Sequence, residues 1–194
     1  MLTDEQEKWV NNLSGVDVIK IIPFDPTCQE KFEKVREIIR SRFGEAVRVV
    51  HRGATSFGIS GQDEIDVYVP VLPGDFDGFI DKLSELFGQP KKVYPLNRAH
   101  FITHQSGKHV DVYLINEEAS SWLEGLKFED YLRSHPEALE EYRILKEKGA
   151  GLSVREYYRR KIEFINDILN KNRAIKKHEM RKKKGSAGYY LCQN

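Results

Sequence analysis

Two short alternating runs carry the acids from which chemistry can be argued. In Glu64-Ile-Asp66-Val-Tyr68-Val, the apolar residues Ile65, Val67 and Val69 alternate with Glu64, Asp66 and Tyr68. Successive side chains of a strand point to opposite faces, so the carboxylates of Glu64 and Asp66 share the polar one. The later run His109-Val-Asp111-Val-Tyr113-Leu-Ile115 repeats the pattern and sets Asp111 opposite the apolar Val110, Val112 and Leu114. Two carboxylates at i and i+2 repel each other unless a cation lies between them. If the two strands are neighbours, three acids converge. Hard oxygen ligands of this kind suit Mg²⁺ or Mn²⁺, ions retained largely to organise substrate phosphates.

The segment before the first acidic strand, His51-Arg-Gly53-Ala-Thr-Ser-Phe-Gly58-Ile-Ser-Gly61, belongs to the same reading. Gly53, Gly58 and Gly61 permit a tight backbone path, and Thr55 and Ser56 add hydroxyl donors. Backbone N–H groups in such a loop cradle phosphate oxygens. A phosphate cradle, two carboxylates two residues apart and a third on a later strand together make a phosphoryl- or nucleotidyl-transfer site. One metal would activate the attacking oxygen and another would neutralise the leaving pyrophosphate. Taken singly, the glycines are turn residues and Glu64 and Asp66 a solvated strand face. Their order and the matching alternation argue for a site. Further along lie Lys146, Lys148, Arg155, Arg159, Arg160 and Lys161, of which some are plain helix surface. No Cys/His cluster has zinc spacing.

These groups need elements to hold them. Asp25-Pro26 predicts a helix start, Phe32, Val35, Ile38, Ile39 and Phe43 follow at helical spacing, and Gly44 closes the helix. Strands are expected over 47–51, 64–69 and 109–115, near Val93 and over 98–104, with a Ser106-Gly107 turn. Pro73-Gly74 opens another amphipathic helix that Gly88 stops. After Asn116 the texture is helical only: Pro136 opens one helix, Gly149 to Gly151 break it, and Ser153-x-x-Glu156 is a capping box starting the last. The expected fold is α+β, a mixed sheet flanked by helices followed by a helical C-terminal half. The expected division is an α/β core over 1–116, a helical half of the same domain over 117–170, and an extension over 171–194.

Length and charge narrow the class. A chain of 194 residues with 40% hydrophobic and 31% charged residues is expected to be soluble and globular. No apolar run is long enough to span a bilayer, so no membrane partner is expected. Cys28 and Cys192 stand far apart, which excludes a disulfide scaffold and makes a cytoplasmic location the default. The net charge of +1 hides a split. From Lys171 onward eight Lys/Arg face one acid, Glu179, giving +7, while the first 170 residues carry 23 bases and 29 acids, giving −6. The basic end is either a solvated terminus or a hook for RNA or another polyanion.

The order Gly53-Ala54, then Glu64-Ile-Asp66, then Asp111 resembles the polymerase-β-like nucleotidyltransferase superfamily. The chain as a whole resembles the GrpB family, over about residues 18 to 170. The resemblance rests on Ile22-Pro-Phe-Asp25-Pro26-Thr-Cys28 with Phe32, on His51-Arg-Gly53-Ala-Thr55, on Tyr131-Leu-Arg-Ser-His135-Pro136-Glu with Glu141-Tyr142 and Leu145-Lys146, and on Tyr157 to Lys161. It implies a nucleotidyltransferase fold, Mg²⁺ or Mn²⁺, and an NTP such as ATP. It places Glu64, Asp66 and Asp111 on the metals as catalytic residues, with Gly53, Thr55, Ser56 and Lys161 on the nucleotide. Ala54 replaces the usual Ser, and Cys28 stands where Trp is common. Counted from Gly53, Glu64 takes the first acidic position; a one-residue gap would pair Asp66 with Tyr68 instead.

Two functions follow as expectations. One is an Mg²⁺-dependent nucleotidyltransferase moving a nucleoside monophosphate from an NTP to an unidentified acceptor. The other is a non-catalytic nucleotide- or RNA-binding module on the same fold.

Overall fold

The two acidic strands become the central pair of a five-stranded sheet. The computed structural model describes the backbone of residues 1–187 and the side chains of residues 1–174. In chain order the elements are α1 (Asp4–Asn11), α2 (Cys28–Phe43), β1 (Val50–Arg52), a single turn α3 (Gly53–Ser56), β2 (Glu64–Val71), α4 (Phe76–Phe87), β3 (Lys92–Tyr94), β4 (Arg98–Gln105), β5 (Lys108–Asn116), α5 (Ser120–Ser134), α6 (Pro136–Glu147) and α7 (Val154–Ala187). The sheet order is β1-β2-β5-β4-β3, with β2 and β5 parallel and the other pairs antiparallel. The β4–β5 hairpin turns on Ser106 and Gly107, both at positive φ (50° and 77°), as a tight two-residue hairpin requires.

The alternation read from sequence sets the two faces. Ile65, Val67 and Val69 of β2 and Val110, Val112 and Leu114 of β5 are fully buried against Phe32, Val35 and Ile39 of α2 and Phe76 and Leu83 of α4. Each such aliphatic side chain contributes about 1.5–3 kcal/mol on burial. A second cluster joins the loop after β1 to the helical half: Ala54 and Ile59 pack with Phe128, Leu132, Ala138, Tyr142, Ile168 and Leu169. The architecture is the expected α+β one. Its helical half is clamped to the segment between β1 and β2 and roofs the polar face of the sheet.

Some boundaries differ from expectation. The second helix begins at Cys28; Asp25 instead accepts from the Thr27 N–H and hydroxyl and pairs with Lys31 at 2.8 Å. Only Val50–Arg52 pairs with β2, while Val47 and Val49 pack on the core outside the ladder. Helix α1 was not expected, because Val10 is its one buried residue. It carries a complete capping box, Thr3 with Gln6, and docks on α7 through Glu7–Arg159 and Trp9 against Tyr158. The basic extension continues α7 as far as Ala187, and the residues after it lie outside those described. Among the described residues no helix is long and apolar enough to cross a membrane.

Candidate active site

Parallel pairing in register puts Asp66 of β2 directly beside Asp111 of β5, and Glu64 beside His109. One ligand oxygen from each of Glu64, Asp66 and Asp111 lies within 4.8 Å of the others. Tyr68 follows on the same face and lines the cavity with Asp66, its ring 4.8 Å from that of Tyr113 and 5.7 Å from that of Trp122. Among the carboxylates, Glu64 is the one grouped with Asp66 and Asp111. Burial, and then the charge of Glu64, push the Asp66 carboxyl up to about 7, and burial together with Asp111 raises that of Glu64. Asp111 is 6% exposed, and its Oδ1 is shared by His100 Nε2 at 2.5 Å and His109 Nε2 at 3.2 Å.

The loop between β1 and β2 is shaped around Asp66. Gly53 adopts φ +71°, and a Cβ there would fall 1.9 Å from Asp66 Oδ2, so only glycine lets the carboxylate sit where it does. The neighbouring hydroxyls serve the loop itself. Thr55 Oγ1 bonds to His51 Nε2 at 2.9 Å, and Ser56 Oγ donates to the Gly53 carbonyl at 2.8 Å. Neither residue lines the cavity beside the carboxylates. His51 stacks on Phe32, and burial lowers its pKa to about 4.

Helical cations face the acids across a cavity of about 420 Å³. Lys161 of α7 and Lys146 of α6 line it with Gly53, Glu64, Asp66 and Tyr142. Burial, then the charge of Lys161, lowers Lys146 to about 7, and its Nζ lies 3.4 Å from the Tyr157 hydroxyl. Lys161 is held well above the ordinary lysine range by Tyr142 first, then Tyr158, Tyr157 and Asp66. The other candidate cations belong elsewhere: Arg155 donates to the Leu13 carbonyl, Arg159 pairs with Glu7, and Arg160 with Glu156. Tyr157 is core at 1% exposed. A second chamber of about 330 Å³ opens between α5 and α7 and shares Gly53, Asp66, Tyr68, Tyr142 and Lys161 with the first.

One buried ion pair went unread in the sequence. Arg52, immediately before Gly53, donates to Glu129 of α5 at 2.8 Å, both under 10% exposed. Its guanidinium lies 4.9 Å from the Tyr68 ring and 4.7 Å from the Trp122 ring. Gly125 leaves the room, since a Cβ there would come within 2.6 Å of Arg52 Nη2. The pair bolts the helical half to the residue that starts the loop.

The sequence pattern of the GrpB protein family matches residues 18–171. The chain belongs to the GrpB family. The UPF0157 protein YqkA of Bacillus subtilis (strain 168) is 26% identical over an alignment of 186 residues that covers 91% of this chain and 52% of YqkA. The chain thus spans about half the length of that relative. The crystal structure of the conserved protein GrpB from Enterococcus faecalis matches with a TM-score of 0.62 at 20% identity, over 79% of this chain and 96% of that one, a likeness of fold. The GrpB match takes in β1, the Gly53 loop, both acidic strands, Lys146 and Lys161, and leaves out α1 and most of the basic extension.

Proposed function

We propose that this GrpB-family chain is a metal-dependent nucleotidyltransferase of the polymerase-β-like kind. The observation that carries the reading is the convergence of Glu64, Asp66 and the buried Asp111 within 4.8 Å, with Glu64 and Asp66 lining a cavity that Lys146 and Lys161 also line. The donor set fits Mg²⁺ or Mn²⁺: three hard carboxylates on neighbouring strands, with burial first and then the charge of Glu64 raising the pKa of Asp66. Such an ion, bound by these three, would offset phosphate charge and make the acceptor hydroxyl more acidic.

The chain's own groups divide the remaining work. Lys161, and Lys146 where it is protonated, draw the phosphates of an NTP such as ATP against the Gly53 loop. Thr55 and Ser56 act by holding that loop in shape. The acceptor oxygen attacks the α-phosphorus, the bond from that phosphorus to the β-phosphate bridging oxygen breaks, and pyrophosphate leaves. His100 and His109 occupy Asp111 Oδ1 and orient the carboxylate, which leaves Oδ2 to take the acceptor's proton. The cytoplasm, where NTP and Mg²⁺ are abundant, is the proposed location, and the basic extension the proposed contact for RNA or another polyanion.

Asp66→Ala and Asp111→Ala are each expected to abolish Mg²⁺-dependent pyrophosphate release from ATP with a mixed acceptor pool. Turnover that survives both substitutions would contradict the assignment. A second reading, a nucleotide-binding module without transfer, is favoured by Ala54, whose methyl group packs toward the helical cluster where the superfamily places a hydroxyl. Metal-independent NTP binding with no pyrophosphate release from any acceptor would select it.

A further inference from the structure

The polar face of the sheet continues beyond the carboxylates. Residues directly opposite in neighbouring strands share a face, so Tyr68, Tyr113, His100 and Lys92 form one row across β2, β5, β4 and β3. The Tyr68 and Tyr113 rings are 4.8 Å apart, and the Tyr113 and His100 rings are stacked at 4.6 Å. This aromatic floor starts beside Asp66 and Asp111 and ends in cations. Lys92 Nζ and the Arg98 guanidinium each lie 4.9 Å from the Tyr94 ring centroid. Both line the 420 Å³ chamber, and among the described residues neither is paired with a carboxylate. Trp9 and Tyr158 close the chamber from the helical side.

We propose that this outer chamber binds the second substrate of the reaction, a phosphorylated small molecule whose phosphate is held by Lys92 and Arg98. The inference rests on the nucleotidyltransferase reading and names the acceptor class it left open. The acceptor's ring lies on the Tyr113–His100 floor, its hydroxyl reaches Asp111, and its phosphate reaches the cations on β3 and β4. Hydroxyl and phosphate are then separated by one to two strand spacings, roughly 5–10 Å. The nucleoside of the NTP takes the other chamber, between α5 and α7, and the two substrates meet at Asp66 and Lys161. The chamber's volume is that of a small-molecule site. A polynucleotide would need further cations in line beyond its mouth.

The test uses the full chain, with inorganic phosphate as the acceptor probe and a non-hydrolysable ATP analogue with Mg²⁺ as the donor probe. Phosphate is titrated with and without saturating analogue, into wild type and Lys92→Ala/Arg98→Ala. Both substituted side chains are exposed, and an unchanged melting temperature confirms the variant's fold. Phosphate is expected to bind the analogue-loaded wild type, and the double substitution to weaken it at least about tenfold while leaving analogue affinity unchanged. Phosphate binding that is indifferent to the substitution, or that the analogue displaces, would overturn the proposal. In the second case the cations serve the NTP's own phosphates. A short RNA oligonucleotide that depends on Lys92 and Arg98 more strongly than phosphate does would also overturn it, in favour of a polymer. If the analogue fails to bind while phosphate still depends on both residues, the nucleotidyltransferase reading falls and the anion subsite stands.

Discussion

Single atoms decide whether the three carboxylates can share one place. Gly53 is the sharpest case, because its positive φ and the contact with Asp66 Oδ2 each exclude a side chain. Gly53→Ala is expected to cost about 1–3 kcal/mol in urea unfolding, from strain and from the displaced carboxylate, and to abolish metal-linked nucleotide binding. His51 makes a pH prediction. Burial lowers its pKa from 6.5 to about 4, so the unfolded chain takes up the proton first as pH falls. Its contribution to stability is therefore complete above about 6.5 and is lost as pH falls from there toward 4. Subtracting the stability profile of His51→Gln from that of wild type should show a difference that shrinks over this interval. A flat difference would mean that the imidazole is not held neutral by the fold.

At the scale of elements, the loop is held from both sides by pieces distant in sequence. The Arg52–Glu129 pair links β1 to α5, and the Tyr68 and Trp122 rings cover the guanidinium. Glu129→Ala leaves a buried guanidinium without its partner and is expected to cost about 3–5 kcal/mol, read from urea unfolding. Arg52→Met/Glu129→Leu should recover most of that loss, because the pair's desolvation cost disappears with its attraction. These two variants also mark what the sequence could and could not tell. The carboxylate trio was legible because strand alternation assigns a face to every second residue, and two runs with the same alternation fit one sheet. The Arg52–Glu129 pair was not, since its partners are 77 residues apart and neither follows a periodic pattern. Lys146 and Lys161 were both candidates among six helical cations. Only the packing of α6 and α7 separates them from Arg155, Arg159 and Arg160, which bind neighbours elsewhere. Helix α1 left a capping box as its one signal, too short a pattern to stand without the α7 surface it docks on.

For the molecule as a whole, the charge split acquires a geometry. The acidic body brings three of its acids within 4.8 Å of one another and sets two lysines in the cavity beside Glu64 and Asp66. The basic extension departs from the other end of α7, with Arg173 still anchored to Glu124 at 2.8 Å. A chain ending at residue 174 keeps that anchor and loses most of the extension. It is expected to melt at the same temperature as the full chain and to lose most of its retention on RNA at low salt, an effect that salt erases in the full chain as well. Retention unchanged by the truncation would confine the extension to solvent. The central claim is that Glu64, Asp66 and Asp111 form one metal-dependent nucleotide site. It is tested most directly by calorimetric titration of a non-hydrolysable ATP analogue into wild type and Asp66→Asn, each with and without Mg²⁺. The account predicts one site in the wild type with Mg²⁺, weakened at least about tenfold when either the ion or the carboxylate is removed. Equal affinity under all four conditions would contradict it.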